Sequence, residues 1–158
     1  MIEQKEQHIA SNEMSLMAET LILNIFRVSH LVGRATNREL ARMGFSLQLE
    51  QVQILVLAYL HCTTPLSQQD IANLLQKDKA GIQRSVKTLE RDGYLRINSD
   101  LNDRRRNLIT LTPAGKLVAQ EVMGKTLELD KQLTSHLNPD EVKGLLNVLK
   151  KLASILES

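Results

Sequence analysis

The chain predicts a mainly α-helical fold carrying one small β-hairpin. Three observations carry that expectation. Apolar residues recur at helical spacing over most of the length. Seven glycines and three prolines in 158 residues are too few for a loop-rich all-β sandwich. Only two short strand-like pieces occur, and they flank a single charged loop. The length fits one domain, or one domain with a long appendage, and is ample to bury a core. Aromatic residues make up 3%, so that core must be aliphatic and Met-filled. A hydrophobic fraction of 42% excludes general disorder, with the opening dozen residues the exception. The longest apolar run, Ile54-Leu55-Val56-Leu57-Ala58-Tyr59-Leu60, falls far short of the roughly 20 residues that span a bilayer. No basic-then-apolar opening marks a secretory signal, and one cysteine cannot form an internal disulfide. The expectation is a cytoplasmic protein with no membrane association.

The elements follow in order. Leu21, Ile25, Val28, Val32 and Ala35 alternate by four and three, which predicts a long amphipathic helix over about 14–42, interrupted by Gly44 and Phe45. Ser46 is the expected N-cap of a second, largely buried helix ending near His61, before Thr63-Thr64-Pro65. Ser67, with Asp70 three residues on, forms a capping box that starts a short helix through Leu75, with Ile71, Leu74 and Leu75 as its buried stripe. Asp78 can cap a further helix whose apolar stripe is Ile82, Val86 and Leu89, stopped at Gly93, where a positive φ is needed. Residues 95–98 and 107–111 then read as strands joined by the polar hairpin loop 99–106. Thr112-Pro113 opens another long helix to about 136. Asn138, Pro139 and Glu141 start the last one, striped by Val142, Leu145, Leu149, Leu152 and Leu156. There is no internal repeat.

A formal net charge of +2 conceals an asymmetry. Residues 77–106 hold nine basic and five acidic side chains, a local +4, while the remainder sums to −2. A local positive field of this kind points to a polyanionic partner. A short capped helix, a turn, a second helix with basic residues and a hairpin with an arginine-rich loop together describe a winged helix-turn-helix. An α-helix fits the major groove of duplex DNA, and a basic loop reaches the neighbouring minor groove or phosphates. On the second helix Lys79, Gln83 and Lys87 lie four apart on a face away from the apolar stripe, flanked by Arg84. Gln83 can donate and accept at a base edge and Arg84 can fork onto a guanine, whereas Lys79 and Lys87 suit phosphates. Lys77, in the turn, joins this set. Ser67 and Gln68 can offer donors to a phosphate at the start of the preceding helix. The bland alternative is a solvated basic face, which for the helix alone is an even competitor. Three adjacent arginines in the hairpin weigh against it, because like charges repel unless an anion gathers them.

The run Leu89-Glu90-Arg91-Asp92-Gly93-Tyr94-Leu95-Arg96, followed by Asp103-Arg104-Arg105 and then Leu111-Thr112-Pro113-Ala114-Gly115, resembles the multiple-antibiotic-resistance-regulator (MarR) family, and the flanking helices fall in its order. The resemblance implies a homodimeric winged-helix transcription regulator, usually a repressor, acting on a pseudo-palindromic double-stranded operator. It implies that Arg105 enters the minor groove with its guanidinium oriented by a bidentate pair with Asp103, and that Arg104 and Arg106 sit near phosphates. Arg96 matches a basic family position and is either a phosphate contact or a strut. The chain departs from the family at Ala80 and Gly81, where Ser or Thr is common. Base reading would then lean on Gln83 and Arg84, or the helix would approach the groove more closely.

The lobe expected to bind DNA spans 46–112, and the helices 14–42 and 113–157 are expected to form the dimer. Their apolar stripes would otherwise stay partly exposed, although packing on each other within one chain is the alternative. Arg27, His30 and Arg34 are candidates for a small-molecule effector, commonly an aromatic acid in such regulators. The competing assignment of each to surface or interface is favoured. Cys62 reads as a small residue at a helix end ahead of an oxidant sensor. His8, His30, His61 and His136 are scattered without metal-ligand spacing, so no metal or other cofactor is expected. A Gly-rich phosphate loop, a nucleophile elbow and H-E-x-x-H are all missing from the sequence, so an enzyme is not expected. The remaining competitor is a winged-helix protein-interaction module without specific DNA binding.

Overall fold

The computed structural model describes residues 15–158, so the expectations for the opening dozen residues and His8 lie outside the described residues. The chain divides into two compact units, one running to Ser46 and the other spanning Leu47–Ser158. The first holds helix α1, Leu21–Arg42. Its start is later than the apolar spacing predicts. Thr20 takes an extended backbone (φ −73°, ψ 140°), and its hydroxyl donates to the Met17 carbonyl at 2.8 Å while accepting from the Leu23 amide at 3.5 Å. That cap separates α1 from a helical turn over 15–18. Beyond Arg42, Gly44 supplies the positive φ of +75° that ends the helix. The apolar stripe is solvent-exposed: Leu21, Ile25, Val28 and Val32 are each 40% exposed or more.

The second unit opens with α2, Leu49–Leu60. Its N-cap is Gln48 in place of the expected Ser46, because Gln48 and Gln51 bond each other's backbone amides reciprocally, and Ser46 is left two residues outside. Helices α3, Gln68–Leu75, and α4, Lys79–Arg91, follow as the Ser67 and Asp78 caps predict. Leu74 departs from its expected burial. The short α3 turns Ile71 and Ala72 inward, and Leu74 falls on the far side, 54% exposed. Strands β1, Leu95–Ser99, and β2, Asn107–Leu111, pair antiparallel with Leu95 opposite Leu111 and Ile97 opposite Ile109. Ser67 bridges to Leu108, and the Ile109 amide donates to the Leu66 carbonyl at 2.9 Å, so the segment before α3 serves as a third, minimal strand.

Helix α5, Pro113–Thr134, packs along α2, and its buried residues Gly115, Val118, Ala119 and Val122 all lie in its first half. The core gathers Ile54, Leu55, Ile71, Ile82, Val86, Leu89, Leu95 and Ile109, all essentially inaccessible to water. Each such side chain stabilises the fold by about 1.5–3 kcal/mol relative to exposure. Helix α6, Pro139–Leu156, begins where Asn138, Pro139 and Glu141 predict, with Asn138 and Glu141 forming a capping box, and buries none of its residues. Among the described residues no helix is long and apolar enough to cross a membrane.

Candidate nucleic-acid interface

Helix α4 is anchored from beneath by Ile82, Val86 and Leu89, which leaves Lys79, Gln83, Arg84 and Lys87 exposed on the outer side, as their spacing predicts. The Asp78 carboxylate caps it by accepting from the Gly81 amide at 2.7 Å. A Cβ on residue 81 would stand 3.0 Å from Asp78 Oδ1, so the glycine leaves room for that carboxylate. This gives the departure at residue 81 a local structural reason. Farther along α4, the Ser85 hydroxyl donates to Glu50 Oε1 at 2.6 Å, tying the helix to the start of α2.

The end of α4 is clasped to the hairpin by the residues of the L-E-x-x-G and L-T-x-x-G runs. Glu90 Oε1 accepts from the Ile97 amide of β1 at 2.9 Å. Gly93 turns the chain at φ +83°, and its carbonyl accepts from the Thr112 hydroxyl at 2.6 Å. The Thr112 amide donates to the Tyr94 carbonyl at 3.1 Å, while Thr112 Oγ1 caps α5 by accepting from the Gly115 amide. The recognition helix and the wing are thereby held in one frame.

The loop 100–106 is closed by its own bonds. The Asp100 amide donates to the Arg106 carbonyl, and the Arg106 amide to the Asp103 carbonyl, both at 2.9 Å. Asp103 Oδ1 accepts from the Arg105 backbone amide at 3.0 Å. The expected Asp103–Arg105 guanidinium pair is therefore corrected. An Asp carboxylate readily reaches the amide two residues on, and here it shapes the turn. The Arg105 guanidinium takes no part in the ion pairs Arg42–Glu39, Arg91–Asp92, Arg106–Asp70 and Lys125–Glu128, and it stands exposed.

Two further expectations change. Arg106 does not stand free for a phosphate: its Nη2 donates to Asp70 Oδ2 at 2.8 Å. Ser67 is only 6% exposed, and both its donors are engaged, its amide and its hydroxyl each reaching Asp70 Oδ2 at 2.8 Å. Asp70 holds its proton less tightly than an ordinary carboxyl, first because of the Ser67 amide and hydroxyl and then because of Arg106.

Between α3, α4 and the wing lies a groove of about 220 Å3. Of the candidate contacts it gathers Ser67, Gln68, Lys79, Gln83, Arg105 and Arg106, and it adds Gln69 and Asn107, which sequence reasoning missed. Gln69 follows a residue already singled out, and Asn107 is the first residue of β2; neither carries a charge or motif signal of its own. Lys77, Arg84, Lys87, Arg96 and Arg104 are exposed but do not line the groove; Asp103 is the turn-former described above. The arrangement presents cations and amide side chains that can meet phosphate oxygens and base edges from two sides.

Residues 44–106 match the family model described as MarR family. The chain is 26% identical over 134 residues to the multiple antibiotic resistance protein MarR of Escherichia coli, covering 83% of this chain and 92% of that protein. It is 25% identical to the transcriptional repressor NicR of Pseudomonas putida, covering 80% and 82%. The structure superposes on MepR from a Staphylococcus aureus MepR–DNA complex with a TM-score of 0.77 at 26% identity, covering 87% of this chain and 96% of that one. The likeness to MarR-family regulators thus covers the segment 44–106 by the family model and most of the chain by fold. The matched segment holds α2, α3, α4, β1 and the wing loop, and the groove lies inside the second unit.

The effector candidates Arg27, His30 and Arg34 are exposed on α1, in the first unit. Cys62 is an exposed free thiol beside a hollow of about 200 Å3 that Pro65, Thr110 and Lys116 also border. No group of three potential metal ligands occurs among the described residues.

Proposed function

We propose that the chain is a sequence-specific regulator of transcription, not an enzyme, that acts in the cytoplasm as a homodimeric repressor on a pseudo-palindromic operator and is released by a small ligand. The observation that carries this reading is the groove in which Lys79 and Gln83 of α4 face Arg105 of the wing. Gln83 and Arg84 read bases in the major groove. Arg105 reaches the minor groove, and Lys77, Lys79, Lys87, Arg96 and Arg104 meet phosphates. Gln68, Gln69 and Asn107 add neutral donors at the groove margin. Dimerisation rests on α1, α6 and the exposed half of α5, within the segments 14–42 and 113–157, and sets two recognition helices about 34 Å apart, one turn of DNA. Arg27, His30 and Arg34 belong to the proposed effector site. The names of the NicR and MepR–DNA relatives support repression and DNA binding respectively.

Binding to genomic DNA fragments over a salt series tests the reading. With roughly 6–10 phosphate contacts, affinity should fall about 10³–10⁵-fold between 50 and 200 mM salt. Arg105→Ala should weaken binding by about 1–3 kcal/mol with an unchanged melting temperature. A flat salt dependence would mean that the winged helix serves a protein partner.

A further inference from the structure

We propose that Asp70 is a positioning residue for the wing: it holds the Arg106 guanidinium, and so sets Arg105 at the groove and withholds one cation per protomer from DNA. This rests on the DNA-binding reading above.

The geometry ties two rigid pieces together. Asp70 Oδ2 receives three donors at 2.8 Å, from the Ser67 amide, the Ser67 hydroxyl and Arg106 Nη2. Ser67 is buried, and the chain beside it is pinned to β2 through Ser67–Leu108 and the Leu66 carbonyl. The acceptor end of the latch cannot shift without undoing the cap of α3. At the other end, the Arg106 amide and carbonyl both close the wing loop. Arg105 is the next residue, with its amide on Asp103 and its side chain on the groove beside Lys79 and Gln83. The bond spans 36 positions in sequence and joins the first helix of the helix-turn-helix to the base of the wing loop.

An acidic side chain beside a DNA-facing groove repels phosphates, and the cap of α3 accounts for the Asp70 carboxylate but not for its bond to Arg106. Simple charge arithmetic says that removing the carboxylate tightens binding to every duplex. Positioning says the opposite for the operator, because a wing no longer held must be ordered on binding. Asp70→Asn separates the two effects, since its amide oxygen can still accept from Ser67 while the ionic partner of Arg106 is lost.

The test compares Asp70→Asn, Arg106→Gln, Arg106→Lys and Lys79→Gln with the wild type. An operator recovered by selection from genomic fragments and a random duplex are titrated over a salt series. Asp70→Asn should bind the operator about fivefold more weakly per protomer, the scale of one exposed ion pair. It should bind the random duplex at least as tightly, with a salt slope steeper by about 0.9 per protomer as Arg106 becomes available. Arg106→Gln should lose the same operator affinity with an unchanged slope, and Arg106→Lys should retain most of it. Lys79→Gln should flatten the slope by about 0.9 per protomer. In DNA-free protein, Asp70→Asn and Arg106→Gln should speed amide exchange at Asp100 and Arg106, and Lys79→Gln should not. Equal tightening of both duplexes by Asp70→Asn, a slope flattened by Arg106→Gln, or unchanged amide exchange would each overturn the latch. A wild type that ignores DNA would instead overturn the function on which it rests.

Discussion

At Gly115 a single side-chain atom decides whether two elements can meet. A Cβ there would lie 1.9 Å from the Tyr94 carbonyl oxygen, and that oxygen is already held by the Thr112 amide at 3.1 Å. Backbone cannot give way as a flexible side chain can. Gly115→Ala should therefore destabilise the protein by about 3 kcal/mol, the upper part of the range for overpacking, as read by urea denaturation. A cost under about 0.5 kcal/mol would show that α5 can slide away from the clasp. This contact gives the final glycine of L-T-x-x-G a steric reason. Thr112, Glu90 and Gly93 acquire reasons of the same kind, as a cap, a partner for a strand amide and a left-handed stop.

Helix α3 and the wing are coupled through one carboxylate, and that coupling has a pH signature. The Asp70 carboxyl titrates below its ordinary range in the folded chain, owing first to Ser67 and then to Arg106. A group whose folded value is depressed contributes stability that is present above its unfolded value, about 3.9, and is lost as pH falls through the folded one. Asp70→Asn should thus be less stable than the wild type at pH 7, with the difference shrinking as pH falls below the unfolded value toward the depressed folded one. The pair is solvent-screened, so the gap at pH 7 should stay within about 1 kcal/mol. Thermal unfolding at pH 3, 5 and 7 measures it, and a gap that widened in acid would contradict the sign. Helix caps were legible at this scale. Ser67–Asp70, Asp78, Thr112-Pro113 and Asn138–Glu141 obey rules that reach only three residues along the chain. Ser46 failed because Gln48 and Gln51 form a reciprocal pair through longer side chains. Leu74 failed because an eight-residue helix offers too few positions to fix its inward face.

The molecule as a whole places its apolar surplus on its terminal helices. Leu145 and Leu149 of α6 are 51% and 45% exposed, and α1 displays Leu21, Phe26 and Val28 more openly still. Such side chains cost little to change within one chain and much within an interface. The double variant Leu145→Asp, Leu149→Asp should keep its helicity yet sediment as a monomer, and it should lose the gain in operator affinity that two linked half-sites provide. A variant that stays dimeric would remove α6 from the interface. The positive field is distributed differently. Residues 77–106 carry a net +4, and the second unit folds them into one helix, its cap and the wing.

Periodicity, caps, turn glycines and the cluster of basic residues were written in the order of the amino acids. They rest on interactions between near neighbours, and they were enough to foresee the helices, the hairpin and the residues of the outer face of α4. The partners of Ser67, Asp70, Asp103 and Arg106 were settled only when distant segments met. By sequence alone Arg106 counts as free for phosphate, because nothing near it in the chain reveals an acceptor 36 positions away. Charge is additive along a sequence, whereas a hydrogen bond depends on angle and distance, and those exist only once the wing has closed on α3.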